Sequence, residues 1–356
     1  MRECYPIAMK QRGFFTEEDR LFRLSSMGDP LEKISDSVDF EIFRPILNKV
    51  FHSKPSALGG RPAWDCVLMF KILLLQQWYS IADDKTEYLI NDRLSFQRFL
   101  GLSLGDKVPD AKTIWLFREN LKKSGAYLDL FDLFARRMEA QGVITRTGSI
   151  VDASFVDVPK QRNSRDDGDN INEGGGDDLC TESVHKCRQK DKDARWVKKN
   201  DGIRYGYKNH VKVDRDSKMI VNYSITDASV HDSQEILGLI DDKDKALYAD
   251  SAYVGKVLHE SLLWKNPNLC LQISEKGYRN KPLTDEQKSS NREKSKVRSR
   301  VEHVFGHMTT SFGEIFVRSV GIVRARCQIG LKNLAYNLHR YEFLMRYKTV
   351  SLLNQV

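Results

Sequence analysis

The order of the strand and helix patterns is the feature that most constrains the fold of this chain. From Thr147 onward, short β-branched runs alternate with helical patterns, in the order strand, long polar insertion, hairpin, helix, strand, helix, strand, helix. The first strand lies in GSIVDASFVDVP, and the hairpin turns at DRDS (214–217). Two later strands follow, in KALYAD and NLCLQIS. Two antiparallel strands that join a first strand, before β and α alternate, predict one mixed sheet with helices on its faces.

This element order is that of a ribonuclease H-like fold, so the expected fold class is α/β. We expect the catalytic unit over residues 146–345, with a polar insertion at about 160–202. The insertion is poor in apolar residues and contains NEGGGDD, which predicts a loop or a partly disordered segment.

The chain upstream of this unit has helical patterns and no strand signal. Residues 61–142 contain RPAWDCVLMFKILLLQQWY, TEYLINDRLSFQRFL, DAKTIWLFRENLKK behind a candidate N-cap at Asp110, and YLDLFDLFARRMEAQG. We expect an all-helical, DNA-binding domain here, preceded by a mixed, partly loop-like segment over residues 1–60. A turn between helices suggests helix-turn-helix geometry, with ordinary solvated charges as the alternative. The candidate DNA contacts in this region are Arg93, Arg98, Lys112 and Arg118.

The net charge of +8, from 57 basic and 49 acidic residues, favours a polyanionic partner, with nucleic acid ahead of an acidic membrane surface. A protein that is merely basic fits the total equally well. The charge is concentrated, however: nine basic and three acidic residues lie between Lys276 and Arg300. Six scattered cysteines favour a reducing compartment, and Cys180, His185 and Cys187 do not match a zinc-ligand spacing. The apolar run CVLMFKILLL is too short to span a bilayer, so no membrane association is expected.

Three acidic residues occupy positions that suggest chemistry. Asp152 lies within the first strand, Asp250 ends the strand in KALYAD, and Glu302 lies on the last helix, in RSRVEHVFG. They are far apart in the chain, and only the fold can bring them together. In a mixed sheet of this order the first and fourth strands are neighbours, and their C-terminal ends frame a crevice. Carboxylates in such a crevice suit Mg²⁺ or Mn²⁺, and two such ions can clamp the attacking and leaving oxygens of a phosphoryl transfer.

Each acid alone also has an ordinary explanation. Asp250 is at a position typical of a turn former or a helix cap, and Glu302 fits an exposed helix face. Asp157 competes with Asp152 for the role on the first strand but lies nearer the loop. The three acids together, in this element order and beside a basic segment, are more specific than any one of them.

These segments resemble bacterial insertion-sequence transposases of the IS5 family, within the larger DDE transposase group. GSIVDASFVDVP resembles the family's first-Asp strand, ADSAYVG its second-Asp motif and RSRVEHVFG its Glu helix. Arg298 and Glu302 meet the family's element of an Arg, three residues and a Glu. Upstream, GRPAWDCVLMFKILLLQQWYS and PDAKTIWLFREN resemble the family's helical N-terminal region. The resemblance covers roughly residues 58–340.

The resemblance implies a transposase that binds terminal inverted repeats, hydrolyses the 3′ phosphodiester bonds, and joins the freed 3′-hydroxyl to target DNA. It implies two Mg²⁺ ions, with Mn²⁺ as a substitute, held by Asp152, Asp250 and Glu302. The implied partners are the inverted-repeat ends, target DNA and further copies of the chain in a homodimer or larger assembly. The implied location is the bacterial cytoplasm, in association with DNA. Two rivals stay open: a ribonuclease H-like nuclease without strand transfer, and a decayed derivative that only binds DNA.

The chain departs from the family pattern at Ser295 and Thr309, where relatives often carry a Tyr and a basic residue that contact DNA phosphates. Neighbouring side chains are candidates to take over those contacts: Lys294, Lys296, Arg300 and His307.

Other candidate DNA contacts each have a structural alternative. Arg298 is expected to hold a phosphate beside the metals, or else to form an ion pair with Glu302 on the same helix face. Tyr253 is expected either to stack on an unpaired base or to pack in the core. Asp232, which follows His231, has either a functional role or the role of a helix-start acid. A last group alternates along one strand, where it contacts the DNA backbone or forms a solvated face: Lys208, His210 and Lys212.

Overall fold

The structure is a computed structural model that describes residues 16–51, 63–161, 171, 189–199, 202–278, 282–313 and 315–353. Its N-terminal part is helical. The helices are α1 (Thr16–Ser26), α2 (Pro30–Ser37), α3 (Arg44–Phe51), α4 (Cys66–Tyr79), α5 (Asp83–Asp92), α6 (Leu94–Leu100), α7 (Ala111–Ser124) and α8 (Ala126–Ala140). Within the segment expected to be mixed and partly loop-like, residues 16–51 are largely helical and form α1 to α3.

Local capping explains where several of these helices begin and end. The Asp65 carboxylate accepts hydrogen bonds from the first turn of α4 at 2.9 Å, and Asp110 caps α7 at 2.7 Å from the Thr113 N–H, as predicted. The pattern that predicted a single helix over TEYLINDRLSFQRFL forms two, because Arg93 between α5 and α6 has extended backbone angles (φ −107°, ψ 113°).

A six-stranded mixed sheet forms the second half of the chain. Its strands are β1 (Ser149–Asp157), β2 (Arg195–Lys199), β3 (Gly202–Asp214), β4 (Ile220–Asp227), β5 (Ala246–Ala249) and β6 (Cys270–Ile273). Strand β3 pairs antiparallel with β1, β2 and β4, whereas β5 is parallel to β1, and β6 is parallel to β5. The path from β4 through β3, β1 and β5 to β6 confirms the ribonuclease H-like order.

Strand β2 corrects the prediction for the end of the polar insertion. Residues 195–199 pair with the start of β3, with Arg195 opposite Gly206, so this part is ordered sheet and not loop. It contains two adjacent residues of high β propensity, Trp196 and Val197, which are a short β-rich signal within a charged segment. The candidate zinc residues Cys180, His185 and Cys187 lie outside the described residues.

Four helices cover the sheet and tie it to the helical region: α9 (Asp232–Leu239), α10 (Lys256–Lys265), α11 (Asp285–Ser311) and α12 (Ile322–Leu353). Helix α12 packs against α4, α8 and β4, and the indole N–H of Trp78 on α4 donates to the Ala335 carbonyl at 3.0 Å. One apolar cluster therefore includes side chains of the helical region and of one sheet face, such as Ile150 and Val156. The opposite sheet face packs on α9 and α10 through Val151 and Leu247.

The described part of the chain contains no helix that combines the length and apolar character needed to cross a membrane.

Candidate active site

Asp152 and Asp250 lie at the same level of two neighbouring parallel strands. Ile150 of β1 is paired with Tyr248 of β5, and each aspartate follows its strand partner by two residues. The two carboxylates are therefore adjacent at the carboxyl edge of the sheet, where crevices form in α/β folds. Repulsion between them is one of the effects that raise the pKa of Asp152.

The Asp152 carboxylate is in an environment that disfavours its charge. Its side chain is 21% exposed, and it accepts a hydrogen bond from the Ala153 N–H at 2.8 Å. Burial raises the pKa of Asp152 to about 6, the backbone hydrogen bond and Arg298 oppose that rise, and Asp250 and Asp232 add to it. A carboxyl group held in this way is typical of a functional site.

Asp250 ends β5 and begins the short 3₁₀ turn Ser251–Tyr253. One of its oxygens, Oδ1, accepts from the Ala252 N–H at 2.8 Å, which is a capping role. The ordinary explanation of Asp250 as a cap is thus present in the structure. It involves one oxygen, and it fixes the carboxylate at the strand end beside Asp152.

Helix α11 packs across β1 and β5 and carries Arg298 and Glu302 to this edge. A guanidinium nitrogen of Arg298 lies 3.3 Å from Asp152 Oδ2, and another lies 3.9 Å from Glu302 Oε1. Arg298 therefore forms the ion pair with Glu302 that was the alternative explanation for it, and it also contacts Asp152. Glu302 is at the rim, with its side chain 64% exposed.

The residues at this edge fit a divalent cation by chemistry and charge. Asp152 and Asp250 supply hard oxygen donors, and the raised pKa of Asp152 reflects buried negative charge that a cation would neutralise. Across the described ranges, no three His, Cys, Asp or Glu side chains are gathered closely enough to hold a metal ion. Glu302, at the rim, is not gathered with Asp152 and Asp250 in such a set.

Lys212 and His210 do not face DNA, which corrects the prediction for this strand. Lys208, His210 and Lys212 share one face of β3 as expected, but that face is covered by α9. The Lys212 ammonium is fully buried and pairs with Asp241 at 2.9 Å and Asp244 at 2.8 Å. Its role is to neutralise two carboxylates inside the protein.

The other two members of this face are also held internally. Lys208 donates to the Val230 carbonyl at 2.7 Å and pairs with Asp232 at 2.9 Å. The ring of His210 is fully buried, its Nε2 is 2.9 Å from the Thr226 hydroxyl, and burial lowers the pKa of His210. Asp232 begins α9, and its charge is one of the effects that raise the pKa of Asp152. The pair of His231 and Asp232 in the sequence was only a weak signal of this contribution.

Tyr253 packs in the core rather than toward a base. Only 1% of the residue is exposed, and it belongs to the apolar cluster of Val151 and Leu247. Its hydroxyl is buried and has no hydrogen-bond partner among the described residues, and burial raises the pKa of Tyr253 far above its usual value. The packing alternative is therefore the one that the structure shows.

The arginines proposed to read DNA in the helical region stabilise that region instead. Arg118 makes a two-pronged contact with Asp83, at 2.7 and 2.6 Å. Arg98 pairs with Asp29 and, at 3.0 Å, with Glu32. The guanidinium of Arg93 lies over two aromatic rings, those of Tyr79 and Phe96, while Lys112 is exposed.

Three basic residues of α11 make contacts within the protein. Lys294 donates to the Ile273 carbonyl at 3.0 Å, and Lys296 pairs with Glu293 at 2.6 Å. Arg300 donates to the Arg215 carbonyl at 2.7 Å. Lys296 is largely exposed and Arg300 partly so, so both can reach a polyanion. His307 instead contacts the ring of Phe312, at 5.1 Å between centroids.

The mixed sheet, with one carboxylate within β1, a second at the end of the adjacent parallel strand β5 and a third on the crossing helix α11, defines the class of ribonuclease H-like proteins. Comparison with known families gives the particular one. The transposase DDE domain matches residues 144–338, more than half of the chain, and a second transposase domain (DUF772) matches residues 19–120. The chain belongs to the transposase DDE domain family, as the sequence motifs predicted. The assignment to the IS5 branch stays a prediction.

Among solved structures, the chain is similar to a piggyBac transposase, determined by cryo-EM in a synaptic complex with hairpin DNA. The two are 13% identical with a TM-score of 0.43, and the match covers 90% of this chain and 76% of that one.

Proposed function

We propose that this transposase binds the terminal inverted repeats of an insertion sequence and catalyses metal-dependent 3′-end cleavage and strand transfer. In this proposal Asp152, Asp250 and Glu302 are the catalytic carboxylates. The observation that supports it is the placement of Asp152 and Asp250 side by side, with Arg298 in contact with both Asp152 and Glu302. Residues 61–142 act in end binding, and residues 146–345 carry the chemistry.

Two Mg²⁺ ions, or Mn²⁺ in their place, supply Lewis acidity for an in-line attack by water or by a 3′-hydroxyl when bound to these carboxylates. Asp152 and Asp250 hold the negative charge at the sheet edge and fix its position through their backbone hydrogen bonds. Arg298 leaves Asp152 for a DNA phosphate, for which its planar guanidinium is well suited. Glu302 then turns inward, because its partner on α11 has moved.

Basic side chains of α11 extend the contact along the DNA backbone. Lys294, Lys296 and Arg300 lie on the helix that also carries Glu302, and Lys296 is the most exposed of the three. Since two ends must be joined together, the working form on DNA is a homodimer or a larger assembly. We infer that this assembly acts on DNA in the cytoplasm.

A strand-transfer assay tests the proposal. Duplexes that carry a pre-cut element end are mixed with the protein, a target plasmid and Mg²⁺, and joined products are expected. Cutting of uncut ends without any joined product supports the rival nuclease. Binding without cutting or joining, with Mg²⁺ and again with Mn²⁺, supports the binding-only derivative. Asp250→Asn is the matched inactive control, because it keeps the size of the capping side chain.

A further inference from the structure

A cleft opens where the turn between α4 and α5 meets α7 and the start of α12. It has a volume of about 410 Å³. Five basic side chains and two acidic ones line it, so its charge is positive: Arg118, Lys122, Arg318, Arg324 and Lys332 against Asp83 and Glu119. We refer to these seven residues as the cationic cleft.

The acids of the cationic cleft are already engaged. Asp83 pairs with Arg118, and Glu119 pairs with both Lys122 and Arg324. Arg318 lies over the ring of Phe316, 6.0 Å from its centroid. Within the described residues, no carboxylate forms an ion pair with Arg318 or Lys332, so these two account for two of the three excess positive charges.

Lys332 is a buried cation whose partners are neutral. It is 4% exposed and donates to the carbonyls of Phe312 and Gly313, at 2.9 and 3.2 Å. Burial lowers the pKa of Lys332 to about 8. A charge removed from water without an opposite charge is costly, and an anion in the cleft would reduce that cost.

The cleft is connected to the catalytic strand. Phe316 bridges to Asp157 at the end of β1, and the Val317 N–H donates to the Asp157 carbonyl at 3.1 Å. Alternation along β1 puts Asp152 on the face of Ile150 and Val156, whose apolar cluster also contains Val317. Five residues of strand separate Asp152 from Asp157, or about 17 Å at 3.3 Å per residue.

We propose that the cationic cleft binds backbone phosphates of duplex DNA, about five base pairs from the phosphate at Asp152, at 3.4 Å per base pair. The identification of the polyanion as DNA rests on the proposed function. The cleft supplies cations for phosphates, and two partly exposed aromatic faces, Trp115 and Phe316, can pack against the adjoining sugars. The cleft thereby sets the direction in which the DNA leaves the carboxylates.

A salt titration tests this site. The affinity for a duplex of about 30 base pairs is measured by fluorescence anisotropy in EDTA, so that no divalent ion takes part. Arg318→Gln is expected to weaken binding about tenfold, as for the loss of a charged hydrogen bond, and to reduce the slope of log affinity against log salt by about 1. The control Lys256→Gln removes the same charge from a side chain that is 90% exposed on α10, and it should match the wild type.

The outcomes separate the sources of phosphate. If Arg318→Gln and the control give the same affinity and slope as the wild type, the cleft does not bind DNA. If inorganic phosphate or dAMP raises the melting temperature of the wild type but not of Arg318→Gln, while duplex affinity is equal, the ligand is a free phosphate compound and the proposal is wrong. Trp115→Ala, at a partly exposed position, repeats the test with no change of charge.

The two proposals fail independently. The affinity and the salt slope are measured in EDTA, where no cleavage occurs, so the cleft is tested separately from the catalytic carboxylates. A protein that never cleaves DNA can still show the loss of slope in Arg318→Gln. Conversely, if the protein is an active transposase and Arg318→Gln does not change the slope of log affinity against log salt, only the proposal for the cleft is wrong.

Discussion

The Asp152 carboxylate is held in place by two contacts, but its negative charge destabilises the folded state. Its backbone hydrogen bond and its contact with Arg298 fix it, but burial and the neighbouring Asp250 raise its pKa to about 6. Charge of one sign concentrated in a crevice is a feature of sites that bind ions or react, because a merely structural carboxylate is normally paired well enough to stay ionised.

The first prediction concerns the stability of Asp152→Asn. The folded pKa of Asp152 is above the ordinary value of 3.8, so folding favours its protonated form. As the pH rises from about 4 through 6, the unfolded chain loses this proton first and the folded state is penalised. In EDTA at pH 8, the variant should therefore be about 3 kcal/mol more stable than the wild type. The difference should vanish below about pH 3 in urea unfolding, and a less stable variant at pH 8 would contradict this electrostatic account.

The second prediction separates a buried ion pair from a DNA contact at Lys212. Lys212→Met removes the fully buried cation shared by Asp241 and Asp244 and leaves Arg146 as their remaining partner, and should lower the free energy of unfolding by about 3 kcal/mol. Chemical denaturation measures this, with Lys256→Met as the exposed control. A variant with wild-type stability and weaker DNA binding would restore the original DNA-contact prediction.

At the scale of elements, local signals were predictable and distant partners were not. The Asp214–Ser217 turn and the Asp110 cap follow from neighbours in sequence. The burial of Lys212 could not be predicted, because its partners come from the segment after α9. Strand β2 was missed for the same reason: its short apolar signal is decisive only beside β3.

The close approach of α12 to β4 and α8 gives the third prediction. A Cβ at Gly330 would lie 2.4 Å from the Tyr223 hydroxyl and 2.9 Å from the Tyr127 ring. Gly330→Ala should therefore destabilise the protein by about 1–3 kcal/mol through overpacking, despite its better helix propensity. Adding Tyr223→Phe removes the clashing hydroxyl, which is buried and has no hydrogen-bond partner in the part of the chain that the structure describes, and should recover most of that loss. The measurement is thermal unfolding.

Gly306 on α11 is the matched control for this helix packing. A Cβ there meets no atom within 4 Å, so Gly306→Ala should stabilise the protein slightly, by up to about 1 kcal/mol. If Gly330→Ala behaves like Gly306→Ala, or if Tyr223→Phe gives no recovery, the described packing of α12 is wrong.

At the scale of the whole molecule, helix α12 packs against both of the regions that the sequence predicted as separate domains. Residues 61–142 and 146–345 were predicted as separate domains, yet α12 packs against α4 and α8 as well as β4. A sequence pattern shows that α12 is partly apolar but does not show which elements it will cover. The order of the strands was predictable, whereas the position of Glu302 at the rim depends on how the whole of α11 crosses the sheet.

The most direct test of the catalytic assignment is the rate of 3′-end cleavage with Mg²⁺ in four variants: Asp152→Asn, Asp250→Asn, Glu302→Gln and the control Asp157→Asn. The first three should each lower the rate at least about a thousandfold, with no further loss when two are combined, because residues that act as a unit are not additive. Asp157→Asn, five residues along the same strand, should stay within about threefold of the wild type. If any of the three cleaves as fast as Asp157→Asn, the assignment of the three carboxylates is wrong.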